Sequence, residues 1–328
     1  MKSNKYLILK GCAGLGNRLL ALAHAIEYAK ATDRILHVDW TDGMYNAPEE
    51  NVFLEFFTLE DVNWAPTLPP HLKEESVEVF PKVFKGNLDK NIYEFYRTKP
   101  GSRWNLAKGW MLTELKESWN WWDGLMVWLL GHQAAYKDFL PSGSTLSKSL
   151  ESEVVIFADY TPPMLADTIH QHIRLAPKIQ SIIDDFASDH FDSDVIGVHV
   201  RNTDMKPKNS LISLIHRLKE THTAQAPIFL ATDHQPSQEL FKVHFEQVIL
   251  TDKFLPEDQV DGGLHKWVSY HGKDQVAAPT KQTVLLESIR DMWLLSKCPK
   301  LYYQGNSSFS RLAVTLMGSK KNATNWDE

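Results

Sequence analysis

Val195-Ile196-Gly197-Val198-His199-Val200-Arg201-Asn202-Thr203-Asp204 is the stretch that decides how this chain is read. Its first half lacks the polar alternation of a half-exposed strand, so it reads as a strand covered on both faces. Its second half places a fixed positive charge and several hydrogen-bond donors where that strand leaves the sheet. In open α/β sheets ligands bind outside the carboxyl ends of the strands. An arginine there suits a phosphate, because its planar fork holds two oxygens at once. The plainer alternative is a strand-end arginine paired with a neighbouring carboxylate such as Asp204, and on this stretch alone both readings stand open.

Outward from that strand, apolar periods alternate between strand and helix. Upstream, 176–188 reads as a helix with Pro177 in its first turn and Ile179, Ile182, Ile183 and Phe186 facing inward. Downstream come a helix over 210–221, a strand over 227–231 ending in Thr232-Asp233, a helix over 237–245 and a strand over 247–250. A loop over 260–272, a helix over 279–297, a strand over 301–303 and a helix over 308–317 close the series. At the other end, 5–10 and 35–40 read as strands. Between them Gly11-Cys12-Ala13-Gly14-Leu15-Gly16-Asn17-Arg18 forms a glycine turn, and Leu15, Leu19, Leu22, Ile26 and Ala29 mark one helix face. Short strands are expected at 77–80 and 154–158. Such alternation means parallel sheets covered by helices, an α/β fold of two Rossmann-like halves joined within 155–175, taken as domains 1–160 and 161–328.

Length and composition fit two globular domains: 328 residues, 43% hydrophobic and 23% charged. The net charge of −6 comes without any basic tract, which argues against a nucleic-acid binder and means an anionic ligand needs a local positive site. Cys12 and Cys298 are too few for a disulfide framework, so a reducing compartment is expected, and no zinc-ligand spacing occurs. Lys10 ends the first apolar run after Tyr6-Leu7-Ile8-Leu9, short of a signal peptide, and the aromatic run over 119–136 is interrupted by Asp123 and His132. The expectation is a cytoplasmic protein without a membrane span, surface association with a membrane staying open. Six of the eleven tryptophans fall within 104–128, a buried core or a platform for sugar rings.

Four further motifs bear on chemistry. The turn Gly11 to Gly16 sits where a phosphate cradle would, yet its Gly-x-x-Gly-x-Gly spacing is not the dinucleotide fingerprint. Asp39 ends the second strand where a ribose-binding acid would stand, which keeps an NAD(P)-dependent oxidoreductase in view as an alternative. Asn17 and Arg18, at the helix start, are placed to present both side chains to a cleft between domains. Asp192-Ser193-Asp194 mimics a metal-holding Asp-x-Asp but precedes its strand, at the wrong sheet edge, and reads as a solvated loop. Asp233 ends the next strand on the same edge as Arg201, unless it merely caps the following helix, a role Ser237 can take. Gly305-Asn306-Ser307-Ser308-Phe309-Ser310-Arg311 joins a strand to a helix N-terminus rich in hydroxyls, an anion site or a plain serine cap.

In this order, Gly14-Leu15-Gly16-Asn17, His199 to Asp204, Ala231-Thr232-Asp233, Asp291-Met292-Trp293-Leu294-Leu295-Ser296 and Ser307-Ser308-Phe309-Ser310 resemble the fucosyltransferases. The likeness is to the superfamily of α-1,6-fucosyltransferases, with the rhizobial nodulation enzyme, and protein O-fucosyltransferases. It covers the first 40 residues and most of 175–317; 41–155 matches nothing. The resemblance implies a GT-B fold, two Rossmann-like domains facing across a cleft. The N-terminal one would serve a carbohydrate acceptor and the C-terminal one GDP-β-L-fucose, with inversion and no metal. It implies Arg201 on the diphosphate, His199 beside the nucleotide, Asp233 in the donor pocket, Asp291 accepting from guanine, and Ser307, Ser308 and Phe309 around phosphate and base. Gly14, Gly16 and Asn17 would reach the donor from the other domain. Asp204, His24 or Asp39 would take the acceptor proton, Asp204 being preferred. The pattern has a second arginine, a lysine and a second acid where this chain has Asn202, Met205 and His234, with Lys206 next to the vacated lysine place. A non-catalytic nucleotide- or glycan-binding protein on the same fold is the other alternative.

Overall fold

The computed structural model describes residues 4–45, 50–80, 84–90, 92, 150–159, 163–203, 206–222, 225–255 and 280–328. Two compact units are present, Met1–Arg174 and Leu175–Glu328. The tryptophan-rich segment 104–128, the expected loop 260–272 and Asp204 lie outside the described residues.

In the first unit, β1 (Lys5–Lys10), α1 (Leu15–Ala31) and β2 (Arg34–Asp39) form the expected strand–helix–strand unit. The strands pair in parallel from Lys5↔Arg34 to Lys10↔Asp39. After the short α2 (Phe53–Phe56) and β3 (Phe57–Leu59) come β4 (Val79–Phe80) and β5 (Val154–Phe157), which complete a parallel sheet of order β2-β1-β5-β4. Leu7, Ile8, Val154, Val155, Ile156 and Phe157 are fully buried, as continuous apolar strands of a covered sheet must be. The unit runs on to Arg174. Helix α3 (Ala166–His172) packs on α1, and β6 (Ile173–Leu175) pairs with β3. These strands of three residues are too short to show a period in sequence.

The second unit alternates strictly: α4 (Pro177–His190), β7 (Ile196–Val200), α5 (Leu211–Thr221), β8 (Ile228–Thr232), α6 (Gln235–His244), β9 (Val248–Ile249), α7 (Lys281–Lys297), β10 (Lys300–Tyr303), α8 (Ser308–Met317) and β11 (Ala323–Asn325). Its sheet runs β11-β10-β7-β8-β9, all parallel. Ser210 and Thr280 cap α5 and α7 by accepting from Ser213 N and Thr283 N, each at 3.1 Å. Pro177 starts α4, where its missing N–H costs nothing. Ile182, expected inward on α4, is instead 36% exposed, while Ile179 and Ile183 fill that face. β7 is buried along its whole length and central in the sheet. Gly197 in its middle is a packing device: a methyl there would sit 3.0 Å from Cys298 Sγ and 3.3 Å from Leu301. Cys298 is 2% exposed and its thiol is pushed up by burial; Cys12, in the first unit, is 4% exposed. Among the described residues no helix is long and apolar enough to cross a membrane.

Candidate functional site

The carboxyl ends of β7, β8 and β10 gather most of the expected donor residues. Arg201 Nε lies 3.9 Å from Asp233 Oδ2, with one fifth of each side chain exposed. Arg201 thus meets Asp233 only at the limit of an ion pair; Asp204, the carboxylate weighed as its partner in the sequence, lies outside the described residues. Asp233 instead organises the loop: its Oδ1 accepts from Asn202 N (2.9 Å) and its Oδ2 from Thr203 Oγ1 (2.5 Å). It does not cap α6, and neither does Ser237, which meets His234 Nδ1 at 2.8 Å. Two positions that leave the family pattern touch each other, Asn202 Nδ2 lying 3.3 Å from His234 Nδ1. Lys206 is exposed.

His199 is buried beside this loop, its ring stacked on Phe309 at 5.0 Å and 24°. Its Nδ1 is buried without a hydrogen-bond partner, as is Ser307 Oγ at the start of α8. Ser307 occupies the N-cap position, yet its side chain caps nothing, so the plain serine-cap reading fails. Ser310 Oγ donates to Gln304 O (2.7 Å), fixing the turn, and Ser308 and Phe309 are partly exposed. Buried polar atoms without partners are uncommon and mark places where a ligand or water completes the bonding. Gln304, which no sequence motif flagged, joins the two strand ends: its Oε1 accepts from Arg201 N at 2.9 Å.

Burial, and behind it the positive charges of Arg201 and Lys253, push the His199 imidazole down to about 3. The ring is therefore neutral at neutral pH, and Arg201 carries the charge of this edge. The free imidazole titrates near 6.5, so below that pH the unfolded chain binds a proton that the fold refuses, and stability falls as pH drops toward 3. At pH 4.5 the loss from this residue is roughly 3 kcal/mol. Urea unfolding between pH 7 and 4.5 should show this slope, and His199→Gln should flatten it.

Asp291, on α7, is held by its own protein partners. Its Oδ1 accepts from Thr251 Oγ1 (2.7 Å) and its Oδ2 pairs with Lys253, all three side chains being buried. Both oxygens are engaged by protein groups. One turn earlier, Glu287 is also buried, its Oε1 accepting from Phe254 N at 3.3 Å, and burial holds its carboxyl above the usual range.

In the first unit the start of the glycine turn packs against a buried arginine. Arg18, expected with Asn17 to face a cleft between domains, is fully buried: Nε donates to Ala13 O (2.8 Å), Nη2 meets Asp42 Oδ2 (2.5 Å), and Trp40 and Tyr45 flank the guanidinium. A methyl on Gly11 would lie 2.4 Å from Arg18 Nη1, which is why glycine stands there. Leu15 N, at the head of α1, already donates to Tyr45 Oη (2.8 Å). Gly14 is the N-cap of α1, Gly16 is buried in its first turn and Asn17 is partly exposed. Asp39, weighed as ribose ligand or base, is taken up by Lys10 Nζ (2.5 Å) and Thr41 Oγ1 (2.6 Å). Burial works to raise its carboxyl, but Lys10 and Thr41 outweigh that and hold it below the usual range. His24 Nε2 is bonded to Pro163 O at 2.9 Å. Asp192 and Asp194 lie exposed before β7, where Asp192 Oδ1 accepts from Asp194 N. Among the described residues no group of three or more histidine, cysteine or acidic side chains is placed to hold a metal.

No protein-family model matches the chain, and comparison with curated proteins by sequence finds no match. Solved structures do match. A NodZ α-1,6-fucosyltransferase soaked with GDP-fucose superposes with a TM-score of 0.58 at 18% identity, covering 95% of this chain and 92% of its own. The chain has the fold of these fucosyltransferases. The NodZ enzyme from Bradyrhizobium gives 0.57 at 18% identity over 94% and 92% of the two chains. POFUT1 in complex with GDP-fucose gives 0.50 at 12% identity over 96% and 94%. The α/β class with two parallel-sheet units is therefore the fucosyltransferase GT-B fold.

Proposed function

We propose that this protein is a fucosyltransferase that moves L-fucose from GDP-β-L-fucose to a glycan hydroxyl with inversion. The observation that carries the reading is the cluster on the carboxyl edge of the second unit. There Arg201, the buried His199–Phe309 stack and Ser307 with its unpartnered hydroxyl stand together, on a fold shared with enzymes solved with GDP-fucose. In the proposed reaction the acceptor oxygen attacks the anomeric carbon from the face opposite the diphosphate. The bond from that carbon to the phosphate oxygen breaks, and its electron pair leaves with GDP.

Negative charge grows on the leaving diphosphate, and Arg201 with the α8 N-terminus meets it, so the reading needs no metal. The guanidinium leans only weakly on Asp233, at 3.9 Å, and one fifth of the side chain is open to solvent. Neutral His199 and Phe309 would lie along the nucleoside, and Asp233 would keep the Arg201 loop in shape. With Asp39 engaged by Lys10, Asp204 is our candidate for taking the acceptor proton.

Calorimetric titration with GDP, GDP-fucose, UDP and NAD tests the reading. Binding of GDP and GDP-fucose, with UDP and NAD silent, is the expected pattern, followed by transfer in an acceptor screen. Absence of GDP binding would overturn it.

A further inference from the structure

Residues 323–328 thread along the same edge and touch the chain after β7 and after β10. β11 pairs in parallel with β10 from Leu301↔Ala323 to Tyr303↔Asn325, and three side chains then reach out in succession. Asn325 Oδ1 accepts from Gly305 N at 3.0 Å. That contact is tight: a methyl on Gly305 would sit 2.3 Å from Asn325 Nδ2. The Trp326 indole, 3% exposed, donates through Nε1 to the backbone oxygen of His199 at 3.0 Å. The ladder between β10 and β7 ends at Tyr302↔Val198, and the His199 carbonyl lies just beyond it. Asp327, equally buried, accepts through Oδ1 from Lys208 N (2.6 Å) and Asn209 N (2.9 Å), where the chain leaves the Arg201 loop for α5.

We infer that Asn325, Trp326 and Asp327 form a positioning brace for the nucleotide edge, with Trp326 holding the backbone of His199 and thereby the start of the Arg201 loop. None of the three offers its polar group to a substrate: each is bonded to backbone of a loop that carries a candidate donor contact. A catalytic edge held by one continuous segment keeps its groups preorganised, and small displacements there weaken binding and rate together. The role in binding rests on the nucleotide reading above; the role in holding the loops does not.

Trp326→Phe keeps an aromatic ring buried and deletes the Nε1 donor together with the pyrrole part of the indole. Hydrogen–deuterium exchange, read without ligand, should rise about tenfold at 199–203 and 304–308 and stay unchanged in α5. GDP affinity should weaken by about tenfold, with the thermal midpoint lowered by less than about 5 °C. Asn325→Ala, which removes the Gly305 contact, is the second variant and should loosen 304–308 in the same way. Unchanged exchange at these loops in both variants overturns the brace. So does loosened exchange with unaltered GDP affinity. If the unaltered protein binds no GDP, the nucleotide reading fails instead, and the exchange pattern alone decides the brace.

Discussion

Arg201→Ala is expected to lower fucosyl transfer by roughly a thousandfold, the scale set by removing one preorganised group from a developing charge. The effect should fall mainly on kcat, because the diphosphate carries more negative charge in the transition state than in bound donor. Stability should hardly move. The side chain is about one fifth exposed and its partner Asp233 stands 3.9 Å away, so the pair contributes no more than about 1 kcal/mol. Arg201→Lys should recover only part of the rate, since an ammonium keeps the charge but not the two-pronged fit to phosphate oxygens. Rate measurements with GDP-fucose, set beside urea unfolding of the same variants, separate chemistry from folding. A fully active Arg201→Ala protein would sink the assignment.

Asp42→Ala should destabilise the first unit by about 3–5 kcal/mol, the usual cost of leaving a buried charge without its partner. Arg18 cannot shed its proton to escape, and its side chain is fully buried. Beside Asp42, the guanidinium meets the Ala13 carbonyl and the faces of Trp40 and Tyr45, which carry no charge. The double variant Arg18→Met with Asp42→Leu should restore most of the loss, because removing both charges also removes the cost of desolvating them. Urea unfolding of single and double variants measures both effects. A loss below about 1 kcal/mol in the single variant would show that solvent or another group compensates the guanidinium.

The alternation of strands and helices over 175–317 was legible in the residues because a covered parallel sheet needs unbroken apolar strands and one-sided helices. The carboxyl-edge meeting of Arg201 and Asp233 followed from strand order alone, two neighbouring parallel strands ending side by side. Arg18 was read as facing a cleft between domains because it stands at a helix start just after a glycine turn. The signal that placed it inside was distributed over Gly11, Trp40, Asp42 and Tyr45, which only folding brings together. The partners of Asp39 and Asp291 were hidden for a related reason: a sequence position shows that a carboxylate stands at a strand end or on a helix, not that Lys10 or Lys253 meets it. Gln304 and Trp326 carry no chemistry of their own and act only through backbone they grip, so residue type gave no hint of them.

The two buried cysteines make the molecule its own reporter. The sequence has one in each unit, Cys12 and Cys298, both shielded from solvent. A thiol reagent therefore modifies neither until the surrounding structure opens. Pulsed alkylation followed by peptide mapping would time the opening of the two halves separately, in the natural sequence and without an added probe. The variants discussed above could then be sorted by which half they loosen.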